Sequence, residues 1–296
     1  MADKTFRGTG VALVTPFTRD GSLDLEAVQS LVEWHLNSGM EMIVPAGTTG
    51  EAATLNRSEF GDLVGAVVQT VNGKVPVIAG TGTNNTRKVI EMSQFAESMG
   101  VDGVLVVSPY YNKPTQNGLY EHYKTVAGAI DIPVVLYNVP GRTGGNISAE
   151  TTLRLAEIPN IVAIKEASGN FSQIMHIIDN RPDDFSVLSG DDADAFQIVA
   201  LGGDGVISVA ANEVPAEFTA MIRLALAGDF GEARKLQYKL LPLMEGNFIE
   251  TNPLPVKAVL AAMGKIQEVY RLPLVPMTDA HKQEILDIAG SLGLLS

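Results

Sequence analysis

Lys165 closes an uninterrupted apolar run, Ile161-Val162-Ala163-Ile164-Lys165-Glu166, with Pro159-Asn160 before it and Ser168-Gly169 after it. Such a run reads as a parallel strand buried on both faces. Burial disfavours the charged form of an ammonium, so a lysine at a sheltered strand end can be the neutral amine that attacks a carbonyl and forms a Schiff base. The competing reading lets the side chain snorkel out and pair with a carboxylate such as Glu166 or Asp191. Taken alone, the run favours this second reading.

Other chemistry-bearing residues stand where further apolar runs give way to loops. These are Gly47-Thr48-Thr49-Gly50-Glu51, Ser108-Pro109-Tyr110-Tyr111-Asn112-Lys113-Pro114, Tyr137-Asn138-Val139-Pro140-Gly141-Arg142-Thr143-Gly144 and Ser189-Gly190-Asp191-Asp192. Glycines on both sides of Thr48-Thr49 allow backbone N–H groups to turn inward and hold a small carboxylate, although an ordinary capped turn with Glu51 as an N-terminal acid fits equally well. Tyr137 can shuttle protons beside the amine, with Thr48 as a relay; the alternative is a buried tyrosine whose hydroxyl bonds to backbone. Tyr110 and Tyr111 carry a similar ambiguity, because paired aromatics also fill interfaces. Arg142 can hold a substrate carboxylate through two parallel hydrogen bonds, or it is a solvated surface arginine.

The elements that must position these groups recur about every 25 to 30 residues, each a short apolar run followed by a stretch of helical period. The strands are expected at Gly10 to Pro16, Met42 to Ala46, Val75 to Gly80, Gly103 to Val107, Pro133 to Asn138, Ile161 to Glu166, Phe185 to Ser189 and Gly205 to Val209. Helices are expected to begin near Asp24, Ser58, Asn84, Gln116, Ser148, Asn170, Asp192 and Pro215. Eight such units predict an α/β fold, a (β/α)₈ TIM barrel over residues 1–228, whose site forms at the carboxyl ends of the strands. Residues 229–296 read as a helical appendage, with helices near 230 to 247, 254 to 264 and 279 to 292 separated by Pro-rich breaks.

Composition narrows the partners. A net charge of −13 repels phosphate backbones and anionic lipid, so nucleic acid and membrane surfaces are not expected partners. No stretch approaches the ~18 apolar residues of a membrane span, and the start, Met1-Ala2-Asp3-Lys4-Thr5-Phe6-Arg7-Gly8, lacks a signal-peptide core, which predicts a cytoplasmic protein. With no cysteine, disulfides, thiolate nucleophiles and cysteine-ligated clusters are excluded. His35, His122, His176 and His281 lack metal-ligand spacing and read as packing or surface residues, so neither a catalytic metal nor a cofactor is expected. Asp191, Asp192, Asp194 and Asp204 occupy the loops where many barrels bind phosphate. They favour a small unphosphorylated keto acid instead.

These residues, in this order, resemble the pyruvate-dependent Schiff-base lyase and aldolase family over essentially the whole chain. GTTGE, SPYYNKP, YNVPGRTG, IKEAS, SGDD and GVISV all look like family motifs at matching spacing. YNVPGRTG looks like the branch that joins pyruvate to L-aspartate 4-semialdehyde in diaminopimelate and lysine biosynthesis. The resemblance implies that Lys165 condenses with pyruvate and that Thr48 and Thr49 amides hold its carboxylate. It further implies that Tyr137, Thr48 and Tyr111 relay protons, that Arg142 holds the semialdehyde carboxylate, and that Gly190 and Ile207 line the pyruvate pocket with backbone carbonyls. A homotetramer built as a dimer of dimers is implied as well, with Tyr111 reaching into the neighbouring subunit's site.

One departure concerns feedback. Where lysine-inhibited members usually carry a glutamate and histidines, the matching positions here are Lys88, Arg57 and Phe60, so an effector ammonium would meet cations, and weak or absent lysine inhibition is expected. Two other readings of the chain keep part of this pattern. An aldolase for a 2-keto-3-deoxy sugar acid or sialic acid would retain Lys165 and Tyr137, and a non-catalytic keto-acid-binding barrel would form no covalent adduct.

Overall fold

The computed structural model describes residues 5–295; the first four residues of the N-terminal stretch discussed above lie outside that range. The chain runs β1 (Gly8–Ala12), α1 (Leu25–Asn37), β2 (Met42–Val44), α2 (Arg57–Val71), β3 (Ile78–Gly80), α3 (Thr86–Ser98), β4 (Gly103–Val107), α4 (Gln116–Ala127) and β5 (Val134–Asn138). It continues through α5 (Pro140–Thr143), α6 (Ala149–Ala156), β6 (Ile161–Glu166), α7 (Phe171–Asn180), β7 (Ser186–Ser189), α8 (Asp192–Ala200), β8 (Gly205–Ser208) and α9 (Pro215–Leu226). Three more helices follow, α10 (Phe230–Gly246), α11 (Leu254–Ala262) and α12 (Asp279–Ser291).

All strand pairs are parallel, in the order β2-β1-β8-β7-β6-β5-β4-β3. The gap between β2 and β3 is bridged by the parallel pair Ile43 and Val77, with Ile43 N donating to Pro76 O at 3.0 Å. This is the expected (β/α)₈ barrel.

Side-chain alternation along each strand sorts residues into two layers. Ala12, Met42, Val44, Ile78, Leu105, Val135, Tyr137, Ala163, Leu188 and Ile207 share one buried cluster inside the barrel, with Phe6 among them. Val11, Ile43, Val104, Leu136, Ile164, Val187 and Val206 join the larger layer under the helices. Truncating a fully buried member such as Leu136 to alanine costs about 2–5 kcal/mol, because the cavity collapses only partly.

Several boundaries differ from the sequence expectation for local reasons. β1 starts two residues earlier, because Gly8 pairs with Gly205 at a point where a side chain on Gly205 would lie 1.9 Å from Gly8 O. It ends earlier too, since Val14 N donates to the Asn212 side chain and leaves the ladder. α2 begins at Arg57 because Asn56 and Glu59 form a reciprocal capping box. α3 begins at Thr86 because Asn85 caps it. Asn84 instead donates to Tyr110 O at 3.2 Å, tying two rim loops together. The short α5, bounded by Pro140 and the left-handed Gly144, had no sequence expectation.

The C-terminal helices are packed into the barrel's own outer layer: Leu240, Leu243, Met244, Val256 and Leu260 belong to the same continuous core as Ile43 and Val206. No helix among the described residues is long and apolar enough to cross a membrane.

Candidate active site

The alternation that sends Ala163 inward also sends Lys165 inward, and it sends Glu166 to the opposite face. Glu166 there accepts hydrogen bonds from Asn138 Nδ2 and Gln173 Nε2, each at 3.1 Å, and from Ser168 N at 2.9 Å. Burial pushes its carboxyl above the usual range, opposed by these bonds. Asp191 is occupied as the cap of α8, accepting from Ala193 N at 2.9 Å. Neither carboxylate pairs with the lysine, which is 5% exposed and whose amine forms no hydrogen bond or ion pair among the described residues. The snorkelling alternative therefore fails for Lys165.

Across the ladder its register partner is Tyr137, and Lys165 Nζ lies 4.5 Å from the centre of the tyrosine ring. Tyr137 in turn lines a cavity of about 660 Å³ together with Gly47, Thr48, Leu105, Val139 and Arg142. The amine thus stands one aromatic ring from open space. Gly190 completes the packing around the lysine stem: a Cβ there would sit 3.0 Å from Lys165 Cε and 2.7 Å from Ala167 Cβ. Ile207 is fully buried in the inner cluster.

The Gly47–Glu51 turn is held in an unusual shape. Ala46 and Glu51, at its two ends, have φ of 54° and 52°, in the left-handed region that side chains disfavour. Tyr111 and Lys113, in the loop after β4, share this feature with φ of 72° and 44°. Among the described residues, four of the five non-glycine residues with positive φ therefore sit on the two loops that follow β2 and β4, the pattern expected where backbone is shaped for a ligand. Within the turn Glu51 N donates to Thr48 O, whereas the amides of Thr48 and Thr49 donate to no acceptor among the described residues. Two free N–H groups on one tight turn suit a carboxylate.

The sequence candidates divide accordingly. Lys165, Tyr137, Gly190, Ile207 and the Thr48-Thr49 turn converge on one end of the barrel. Arg142 lines the same cavity on the exposed α5 turn, its Nη2 donating to Asn252 O at 3.5 Å. Thr48 is exposed within the cavity, while Thr49 is buried and its hydroxyl accepts from Asn252 Nδ2 at 2.9 Å. Tyr111 points away: it is 90% exposed and does not line the cavity, although Tyr110 does.

Two residues, Lys257 and Asn252, escaped the sequence reading, and a third, Asp192, was read there only as a helix start and a loop charge. Asp192, fully buried, accepts from Val209 N and Ala210 N and locks α8 to the end of β8. Burial pushes its carboxyl up to about 6, with the Ala210 amide and the nearby Lys165 charge opposing. Lys257, on α11, and Asn252, in the link before it, reach the Gly47–Glu51 turn from the C-terminal segment. The available signal was a single charge inside the otherwise apolar helix Leu254–Ala262, which demands a buried partner. Among the described residues no three His, Asp or Glu side chains group as metal ligands.

Fold and comparisons together define an α/β-barrel enzyme, and the barrel carries a buried lysine on its inner wall at the carboxyl end of β6. The chain belongs to the dihydrodipicolinate synthetase family, whose pattern matches residues 5–291. It is 52% identical over 290 residues to a 4-hydroxy-tetrahydrodipicolinate synthase from Koribacter versatilis, covering 98% of this chain and 97% of that one. A second, from Prosthecochloris aestuarii, is 50% identical over the full length of both chains. The crystal structure of the chloride-inhibited dihydrodipicolinate synthase from Acinetobacter baumannii complexed with pyruvate superposes with a TM-score of 0.97 at 44% identity, covering 98% of this chain and all of that one.

Proposed function

We propose that this protein is a lyase with 4-hydroxy-tetrahydrodipicolinate synthase activity, condensing pyruvate with L-aspartate 4-semialdehyde on the way to diaminopimelate and lysine. The single observation that carries the reading is the unpaired Lys165 amine held against Tyr137, whose ring lines the cavity. Full-length identity of about half to synthases of that name supports the choice of substrates.

The steps follow from the groups present. The Lys165 amine, once it has given up its proton, adds to C2 of pyruvate, and the carbinolamine loses water to give an imine. Loss of a C3 proton gives the enamine, whose carbon attacks the semialdehyde's aldehyde. The amino group of the incoming substrate then displaces Lys165 by transimination, which closes the ring and frees the enzyme. Tyr137 and Thr48 carry the protons, with Tyr111 supplied by a neighbouring subunit. The Thr48 and Thr49 amides hold the pyruvate carboxylate, Gly190 and Ile207 line its pocket, and Arg142 holds the carboxylate of the semialdehyde.

The exposure of Tyr111 on a loop of left-handed backbone supports an assembly that covers it, and a homotetramer is the form we assign. We also assign the protein to the cytoplasm, and divide it into a catalytic barrel of residues 1–228 and a supporting helical unit of residues 229–296.

Borohydride reduction with pyruvate, followed by peptide mass mapping, tests the chemistry: a reduced pyruvyl adduct on Lys165 is expected, and its absence overturns the reading. Turnover with aspartate semialdehyde but not N-acetylneuraminate is expected in the same preparation.

A further inference from the structure

Glu51 is more than the end of a turn. Its backbone is held in the left-handed region, and its carboxylate is buried with both oxygens engaged. Lys257 Nζ on α11 donates to Oε1 at 2.5 Å, and the Arg271 backbone N–H donates to Oε2 at 3.3 Å. Lys257 is 0% exposed, also donates to Thr15 O at 3.1 Å, and lies 4.5 Å from the centre of the Phe17 ring. Burial lowers its pKa, with Glu51 opposing that fall. From the link just before α11, Asn252 fastens the middle of the turn through Thr49 Oγ1.

A buried ion pair is a weak device for stability, because desolvation of both charges offsets their attraction. What such a pair does well is fix geometry, since either partner left alone in the interior is strongly disfavoured. Here the fixed geometry is that of the Thr48 and Thr49 amides, three and two residues before Glu51. A loop alone would let this strained turn relax.

We propose that Glu51 and Lys257 form a buried latch, a pair of positioning residues through which the C-terminal helices set the carboxylate-binding amides of the Thr48-Thr49 turn. The latch rests on the proposed reading that these amides hold the keto-acid carboxylate. It predicts that breaking the pair weakens pyruvate binding selectively, leaving the Arg142 contact to the semialdehyde in place.

Two separate readouts test it on the full-length enzyme. Borohydride trapping on the unaltered protein reads the Schiff base, so its failure counts against the chemistry and not the latch. Calorimetric titration of pyruvate, with KM for each substrate, reads the latch. In Lys257→Met the pyruvate dissociation constant and KM are expected to rise by at least about tenfold, with KM for aspartate semialdehyde moving less than about threefold. Lys257→Arg, which keeps the charge, is expected to recover part of the loss. Should Lys257→Met not fold, Glu51→Gln retains an oxygen acceptor for Lys257 and is expected to shift pyruvate binding several-fold in the same direction. Unchanged pyruvate affinity in a folded variant, or equal rises for both substrates, overturns the latch.

Discussion

Tyr137 and Lys165 are register partners across the β5–β6 ladder, which leaves the lysine amine 4.5 Å from the centre of the tyrosine ring. Adjacent strands in a barrel fix such a pair to within the rigidity of the sheet, so the phenol's contribution can be removed without moving the amine. Tyr137→Phe keeps the ring and deletes the hydroxyl. The expected result is a kcat lower by about 10²- to 10³-fold, with an unchanged thermal midpoint and with Lys165 still trapped by borohydride, only more slowly. A variant of full activity would exclude the tyrosine from proton transfer.

Gly190 tests the same site sterically. Any Cβ at this position meets Lys165 Cε at 3.0 Å and Ala167 Cβ at 2.7 Å, so Gly190→Ala must displace the lysine stem or the strand beneath it. Because misplacement by about 1 Å costs up to about 10²-fold, activity is expected to fall at least about tenfold. Steady-state rates and the melting temperature, measured together, separate this from general unfolding.

Lysine inhibition is expected to be weak or absent. Arg57 and Lys88 line the same cavity as Phe60, Asn84 and Tyr110, and the Arg57 guanidinium stacks 4.3 Å from the centre of the Phe95 ring. Neither cation is engaged by a carboxylate among the described residues, so an incoming ammonium meets uncompensated positive charge. Initial rates with millimolar lysine check this, and strong inhibition would refute it.

Acid stability carries a signature of His35. Burial, aided by Lys265, pulls its pKa down to about 3 from an ordinary value of 6.5. Below pH 6.5 the unfolded chain therefore takes up a proton that the folded chain refuses, and stability falls as pH drops; above it the effect vanishes. One pH unit below 6.5 the loss is about 1.4 kcal/mol. Asp192, pushed up to about 6, works in the opposite direction, so the comparison must be with a variant. The stability difference between the unaltered protein and His35→Leu is expected to shift by about 1 kcal/mol in favour of the variant between pH 7.5 and 5.5, read by urea unfolding.

The barrel was legible in the sequence because each strand is a short apolar run, and most helices announce themselves by period and by a capping residue or an N-terminal proline. Asp24, Ser148 and Asn170 cap their helices at or beside the expected starts. Where two polar residues competed for a cap, as with Asn84 and Asn85, local pattern could not decide, since the outcome depended on Tyr110 across the rim.

The sequence by itself determined which groups are chemically able: a lysine at the end of a buried strand, a tyrosine at the end of the strand before it, and a glycine-flanked pair of threonines. Strand periodicity is a local property, so it survives in one dimension. Only the tertiary structure decided which way each group faces and what holds it there. Glu166 turns away from Lys165, Tyr111 is left exposed, and Lys257 reaches Glu51 from 206 residues along the chain. The energy of a buried charge depends on a partner that sequence order does not bring near.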